Sequence, residues 1–170
     1  MKLLTLAALV VFSPLDVFGQ TFGAQGTPKV TVVAGVGNAM GWLGAQAEGY
    51  LKSGRISVFG GVGYTPEYEV GRPSGVTVAA GTRGFTSGRK HRAFFEVSVS
   101  QIVTETFTSG TETLPGSRVY GPGLQGGYQY VSSRGLTGLA SIGMGFPVGA
   151  ESGTRAGFMA GLGLGYTWRR

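Results

Sequence analysis

Phe95-Glu96-Val97-Ser98-Val99-Ser100-Gln101 alternates apolar and polar residues with a period of two, and this spacing decides the fold. Successive side chains of an extended strand point to opposite faces. One face therefore carries Phe95, Val97 and Val99, with Val103 further along, and the other carries Glu96, Ser98 and Ser100. Gln101 is the single polar residue on the apolar phase.

The same alternation recurs on both sides of this stretch. Upstream, Val30, Val32, Ala34 and Val36 oppose Thr31, Val33, Gly35 and Gly37, and Leu43, Ala45, Ala47 and Leu51 oppose Gln46 and Glu48. Ile56, Val58, Val62 and Tyr64 then oppose Ser57, Phe59, Gly61 and Gly63, while Val76, Val78 and Ala80 oppose Thr77, Ala79, Gly81 and Arg83. Downstream, Tyr120, Leu124, Tyr128 and Tyr130 face away from Gly121, Gly123, Gln125, Gly127 and Gln129, with Pro122 a local weakness. Leu136, Ala140, Ile142, Met144 and Phe146 oppose Thr137, Ser141, Gly143 and Gly145. The last segment sets Phe158, Ala160, Leu162, Leu164, Tyr166 and Trp168 against a row of Gly with Met159 and Thr167. Eight strands are predicted, and no helical periodicity competes with them.

Composition narrows the chemistry. The 170 residues include 33 Gly, one His and no Cys, with 42% hydrophobic and 13% charged residues. Disulfides, thiolate metal sites and a cysteine nucleophile are excluded, and neither a metal nor a cofactor is expected. Apolar content this high with so little charge also excludes a disordered chain.

Residues 1–19 read as a signal peptide: Met1-Lys2 is followed by the apolar run Leu3 to Phe12, a break at Ser13-Pro14, and small-residue cleavage after Gly19. That run is too short to span a bilayer as a helix, since about 20 residues are needed. Residues 20–28 are then a linker and 29–170 the barrel.

The joins alternate in length. Residues 52–55, 87–91 and 132–135 are tight polar turns in which Gly is expected to supply positive φ, while 65–75, 104–118 and 147–154 are long and 37–41 is shorter. One rim thus holds the tight turns and the other the long loops, the up-and-down pattern of an outer-membrane barrel. The tight-turn rim collects Lys29, Lys52, Arg55, Arg89, Lys90, Arg92, Arg134, Arg169 and Arg170 without one acid. Glu67, Glu69, Glu105, Glu112 and Glu151 meet Arg72, Arg118 and Arg155 on the other rim. The formal net charge of +6 is a sum of two separated rims, so no nucleic-acid partner is expected. A basic rim suits anionic phospholipid headgroups.

The bulky face is apolar and the opposite face is small or polar, the reverse of a water-soluble barrel. The apolar face is therefore expected to touch lipid, and closure removes every unpaired edge from the bilayer. Trp42, Tyr50, Tyr64, Phe85, Tyr120, Tyr130, Phe146, Tyr166 and Trp168 lie near strand ends and are candidates for interfacial aromatic girdles. Over about residues 29–168 the chain resembles the small eight-stranded bacterial outer-membrane β-barrels of the OmpA-transmembrane-domain and OmpX-like type. Tyr166-Thr167-Trp168 is similar to the aromatic-ended last strand of that family. The resemblance implies an all-β, eight-stranded, antiparallel up-and-down transmembrane barrel in the outer membrane, inserted by the barrel-assembly machinery.

Glu48, Arg83 and Glu96 are the charges that fall on the polar phase within strands, and they form the candidate lumen cluster. A lone buried charge is costly, so an interior Arg between two carboxylates would satisfy all three. They would then either fill the barrel or gate a narrow path through inward glycines. Gly121-Pro122-Gly123-Leu124-Gln125-Gly126 spells a dinucleotide string, but a strand follows it and not the helix that such chemistry needs. Ser87-Gly88-Arg89-Lys90 has a serine–lysine spacing inside a tight turn, and His91 sits on the tight-turn rim as a solvated residue. No catalytic residue is therefore assigned. The expectation is a non-enzymatic integral barrel whose loops 65–75 and 104–118 meet an extracellular ligand. The alternatives are a narrow channel, a lipid-modifying enzyme and a soluble ligand-binding barrel.

Overall fold

A computed structural model describes residues 26–40, 43–66, 74–104, 107–109, 112–114, 118–148 and 156–169. Among the described residues there are ten strands: β1 Pro28–Gly37, β2 Leu43–Tyr50, β3 Ile56–Thr65, β4 Gly75–Phe85, β5 His91–Thr104, β6 Phe107–Ser109, β7 Glu112–Leu114, β8 Arg118–Val131, β9 Leu136–Gly145 and β10 Gly157–Arg169. Eight of them close into one antiparallel up-and-down barrel in the order β1-β10-β9-β8-β5-β4-β3-β2. The pair β6–β7 is a separate hairpin within the 104–118 join, where loop alone was expected from the sequence. The seam between the first and last strands runs from Val30 opposite Trp168 to Gly37 opposite Gly161.

The two faces sort as the alternation predicts. Outside, Leu164 is 70% exposed, Phe158 68% and Leu162 63%, and the same wall includes Val76, Val78, Val97, Val99 and Ile142. Inside, Thr31, Gln46, Glu48, Ser57, Arg83, Glu96, Ser98, Ser100, Gln125 and Gln129 are buried. Strands of ten or eleven residues, such as β1, β3, β4 and β9, have the length that a tilted membrane-spanning strand needs, about 9–11 residues.

Two tight turns use glycine in the left-handed region, Gly54 at φ 68° and Gly135 at φ 95°. Gly88 does not, against expectation. It is required there by close approach, because a Cβ would fall 1.9 Å from the His91 carbonyl oxygen. The Gln101 exception also has a physical cause. The β5–β8 register slips between Gln101 and Val103, a bulge at which Gln101 is half-buried, while Ile102 continues the inward phase of Ser98 and Ser100.

Inward glycines do not leave open volume. A Cβ on Gly127 would lie 2.2 Å from Phe94 Cζ, one on Gly81 2.8 Å from Phe59 Cε1, and one on Gly123 2.6 Å from Met159 Sδ. Each glycine is a seat for a large side chain from across or along the wall. The short join after β1 also turns inward: Asn38–Met40 forms a 3-10 turn with Ala39 and Met40 buried. Asn38 Nδ2 donates to the Gln101 carbonyl at 3.2 Å, and its Oδ1 accepts from Ala160 N at 3.1 Å. Gly61 makes room for this segment, since a Cβ there would lie 2.1 Å from the Ala39 carbonyl oxygen.

Candidate functional site in the barrel lumen

Glu48 on β2, Arg83 on β4 and Glu96 on β5 meet inside the barrel, because all three share the inward phase of strands close in the sheet. Arg83 and Glu96 are direct cross-strand partners. Arg83 Nε donates to Glu96 Oε2 at 2.8 Å and Nη2 lies 2.7 Å from the same oxygen. Its Nη1 is 3.4 Å from Glu48 Oε2, a longer ion pair, and all three side chains are fully buried. The guanidinium is also held 4.3 Å from the Phe59 ring centroid and 4.9 Å from that of Phe94.

Neighbours complete the two carboxylates differently. Gln125 Nε2 donates to Glu96 Oε1 at 2.8 Å, and Ser141 Oγ in turn donates to Gln125 Oε1 at 3.1 Å. Glu48 draws on the Tyr50 hydroxyl at 2.8 Å, on Ser57 Oγ, and on Gln129 Nε2 at 3.5 Å. Glu48 is therefore held chiefly by neutral donors and Glu96 chiefly by Arg83.

Arg92 was expected on the basic rim, and the structure corrects this: it is buried in the lumen. β5 starts at His91, so Arg92 is two and four residues from Phe94 and Glu96 and shares their inward phase. Tyr50 and Phe85, expected in the aromatic girdles, are corrected likewise. Both are buried and bracket Arg92, whose guanidinium lies 4.0 Å from the Phe85 ring centroid and 4.9 Å from that of Tyr50. Arg92 Nη2 donates to Tyr50 Oη at 3.0 Å and to Gln129 Oε1, and Nη1 donates to the Gly54 carbonyl at 3.1 Å. The phase of Arg92 with Glu96 was the signal available in the sequence. The described lumen thus holds two acids and two bases, a neutral set, which is the arrangement that makes burial of four charges tolerable.

The layers on either side are sealed by different chemistry. Toward the tight turns, the Thr31 and Thr167 hydroxyls share a hydrogen bond at 2.7 Å, and those of Thr137 and Thr167 one at 2.6 Å. Toward the long joins, Met40 and Met159 are buried beside glycine seats at Gly163 and Gly123.

His91 faces outward. Its Nδ1 is hydrogen-bonded to the Tyr128 hydroxyl and its ring centroid is 5.0 Å from that of Tyr130, on the other side of the wall from Glu48 and Glu96. Among the described residues no group of three or more His, Cys, Asp or Glu side chains could hold a metal. Tyr64, Tyr130, Phe146, Tyr166 and Trp168 are exposed on the outer wall, and Tyr120 is half-buried. Trp42, residues 1–19, most of 65–75 and 147–154, and parts of 104–118 lie outside the described residues. Comparison with known proteins adds no relative: no family model, no curated protein and no solved structure matches the chain.

Proposed function

We propose that the protein is an integral β-barrel of a bacterial outer membrane, exported by residues 1–19 and acting structurally or in surface contact through its long joins. One observation carries this reading: the barrel is inside out relative to a soluble one. A wall rich in Val, Leu, Ile and Phe faces outward, while the interior holds the charged and amide side chains, Glu48, Arg83, Arg92, Glu96 and their Gln and Ser neighbours among them, packed with buried Phe, Tyr and Met. An apolar surface of that extent supports contact with lipid. A closed sheet is also the form of β-structure in which no backbone group is left unpaired in hydrocarbon.

Outer-membrane lipid is the partner of the wall. Tyr166 and Trp168, edge to face at 5.0 Å on the last strand, are the residues offered to the barrel-assembly machinery. The joins 65–75 and 104–118, the latter containing the β6–β7 hairpin, are the parts proposed to meet an extracellular ligand. A non-enzymatic role fits the lumen, where Arg83 is committed to Glu48 and Glu96, and Arg92 to Tyr50, Gln129 and the Gly54 carbonyl. A channel would require both the Arg83 layer and the Asn38–Met40 segment to leave the lumen.

The test is refolding of the chain into phosphatidylcholine vesicles, with heat-dependent gel mobility and detergent partition as readouts. The folded form should migrate faster than the boiled form and enter the detergent phase. A chain that stays dispersed and folded without amphiphile overturns the reading.

A further inference from the structure

The tight-turn rim is the most strongly charged surface of the described molecule. Lys29, Lys52, Arg55, Arg89, Lys90 and Arg134 are all exposed there, and among the described residues no Asp or Glu joins them. They come from the start of β1 and from all three tight turns, so the charge runs around the barrel. Each turn leads straight into the apolar wall: Lys52 follows Leu51, Arg55 precedes Ile56, and Arg134 lies two residues from Leu136, with Leu51, Ile56 and Leu136 exposed at 52%, 39% and 60%. At the 86–90 turn, Lys90 adjoins His91, which is tied to Tyr128 and Tyr130 on the outer wall.

We infer that this rim binds the headgroups of anionic phospholipids in the leaflet nearest the tight turns, with Lys90 and the His91–Tyr128–Tyr130 cluster as its principal contact. The inference rests on the membrane reading above. Charge alone would serve any polyanion; the choice of lipid follows from position. A ligand that reaches Lys52, Arg55 or Lys90 from the side of the barrel meets exposed apolar side chains within one or two residues. A phospholipid satisfies both surfaces at once, whereas a soluble acidic polymer satisfies only the charges. Tyr128 and Tyr130 have the amphipathic rings that favour the headgroup level.

The experiment uses the chain inserted in phosphatidylcholine vesicles containing trace spin-labelled phosphatidylglycerol or spin-labelled phosphatidylcholine. The fraction of each label immobilised at the protein is read by electron paramagnetic resonance. Phosphatidylglycerol should be preferred at low salt, and the preference should collapse near 1 M salt, where the Debye length is about 3 Å. One base near a charged surface is worth about fivefold in preference. The double variant Arg89→Gln, Lys90→Gln should therefore lose about fivefold or more while keeping its heat-dependent gel shift. Equal immobilisation of the two labels by the inserted wild-type chain overturns the inference, as does a preference undiminished in the variant. Binding of soluble polyglutamate without any lipid preference overturns it in favour of an acidic polymer. A wild-type chain with no gel shift in any vesicle refutes the membrane reading instead.

Discussion

Replacing Arg83 by Met tests whether the lumen is organised by charge pairing. Met keeps an unbranched apolar stem between Phe59 and Phe94 but removes the cation that Glu96 contacts at 2.7 Å and Glu48 at 3.4 Å. Breaking a buried pair by deleting one partner costs about 3–5 kcal/mol, because the other charge stays behind without compensation. Glu48 retains Tyr50, Ser57 and Gln129, whereas Glu96 retains Gln125, so most of the loss falls on Glu96. The double variant Arg83→Met, Glu96→Gln should accordingly regain about 2 kcal/mol or more, a coupling within the range of neighbouring buried groups. Urea unfolding in detergent micelles, followed by tryptophan fluorescence and gel mobility, measures both. The loss should be the same at low and high salt, since solvent ions do not reach a fully buried pair. A single variant that loses less than about 1 kcal/mol, or a double variant no more stable than the single, would refute the reasoning.

Other perturbations probe the walls and the plug. Gly127→Ala should destabilise by about 1–3 kcal/mol, because its Cβ would fall 2.2 Å from Phe94 Cζ, while Gly126→Ala, with nothing within 4 Å, should leave the urea midpoint almost unchanged. Leu164→Arg, on the outer wall opposite Ala34 and Gly138, should cost about 2–4 kcal/mol in lipid bilayers; a neutral result in bilayers would contradict lipid contact. Met40→Ala should cost about 2–5 kcal/mol through the cavity it leaves. The same variant should show no planar-bilayer conductance, since the Arg83 layer still fills the barrel; stable single-channel steps would show that the plug alone closes it.

The eight strands of the barrel, their inward phase and the meeting of Arg83 with two carboxylates could be anticipated because a period of two converts directly into a side of the wall. The same rule placed Tyr50 and Phe85 inward, but their position near strand ends also suited a girdle, and only the packing around Arg92 decides between the two. Arg92 itself was obscured by its proximity to Arg89 and Lys90, which made it look like part of a turn. Asn38–Met40 has no periodicity to read. Its inward course depends on a carbonyl of β5 and an amide of β10, both distant in the chain. The slip at Ile102 was visible only as the anomaly of Gln101.

The seam between β1 and β10 bears on biosynthesis. Thr31 and Thr167, whose hydroxyls touch across it, are 136 residues apart in the chain. Glycines at 35, 37, 163 and 165 let the two backbones approach along its length; a Cβ on Gly165 would meet the Val32 carbonyl oxygen at 1.9 Å. No portion of the polypeptide can close the cylinder before its final strand has been synthesised, and contacts between such remote segments form slowly. An open, unclosed chain throughout synthesis is thus built into the topology. Loss of β10 would strand the edges of both β1 and β9, leaving a curled ribbon with two adhesive borders in place of a ring.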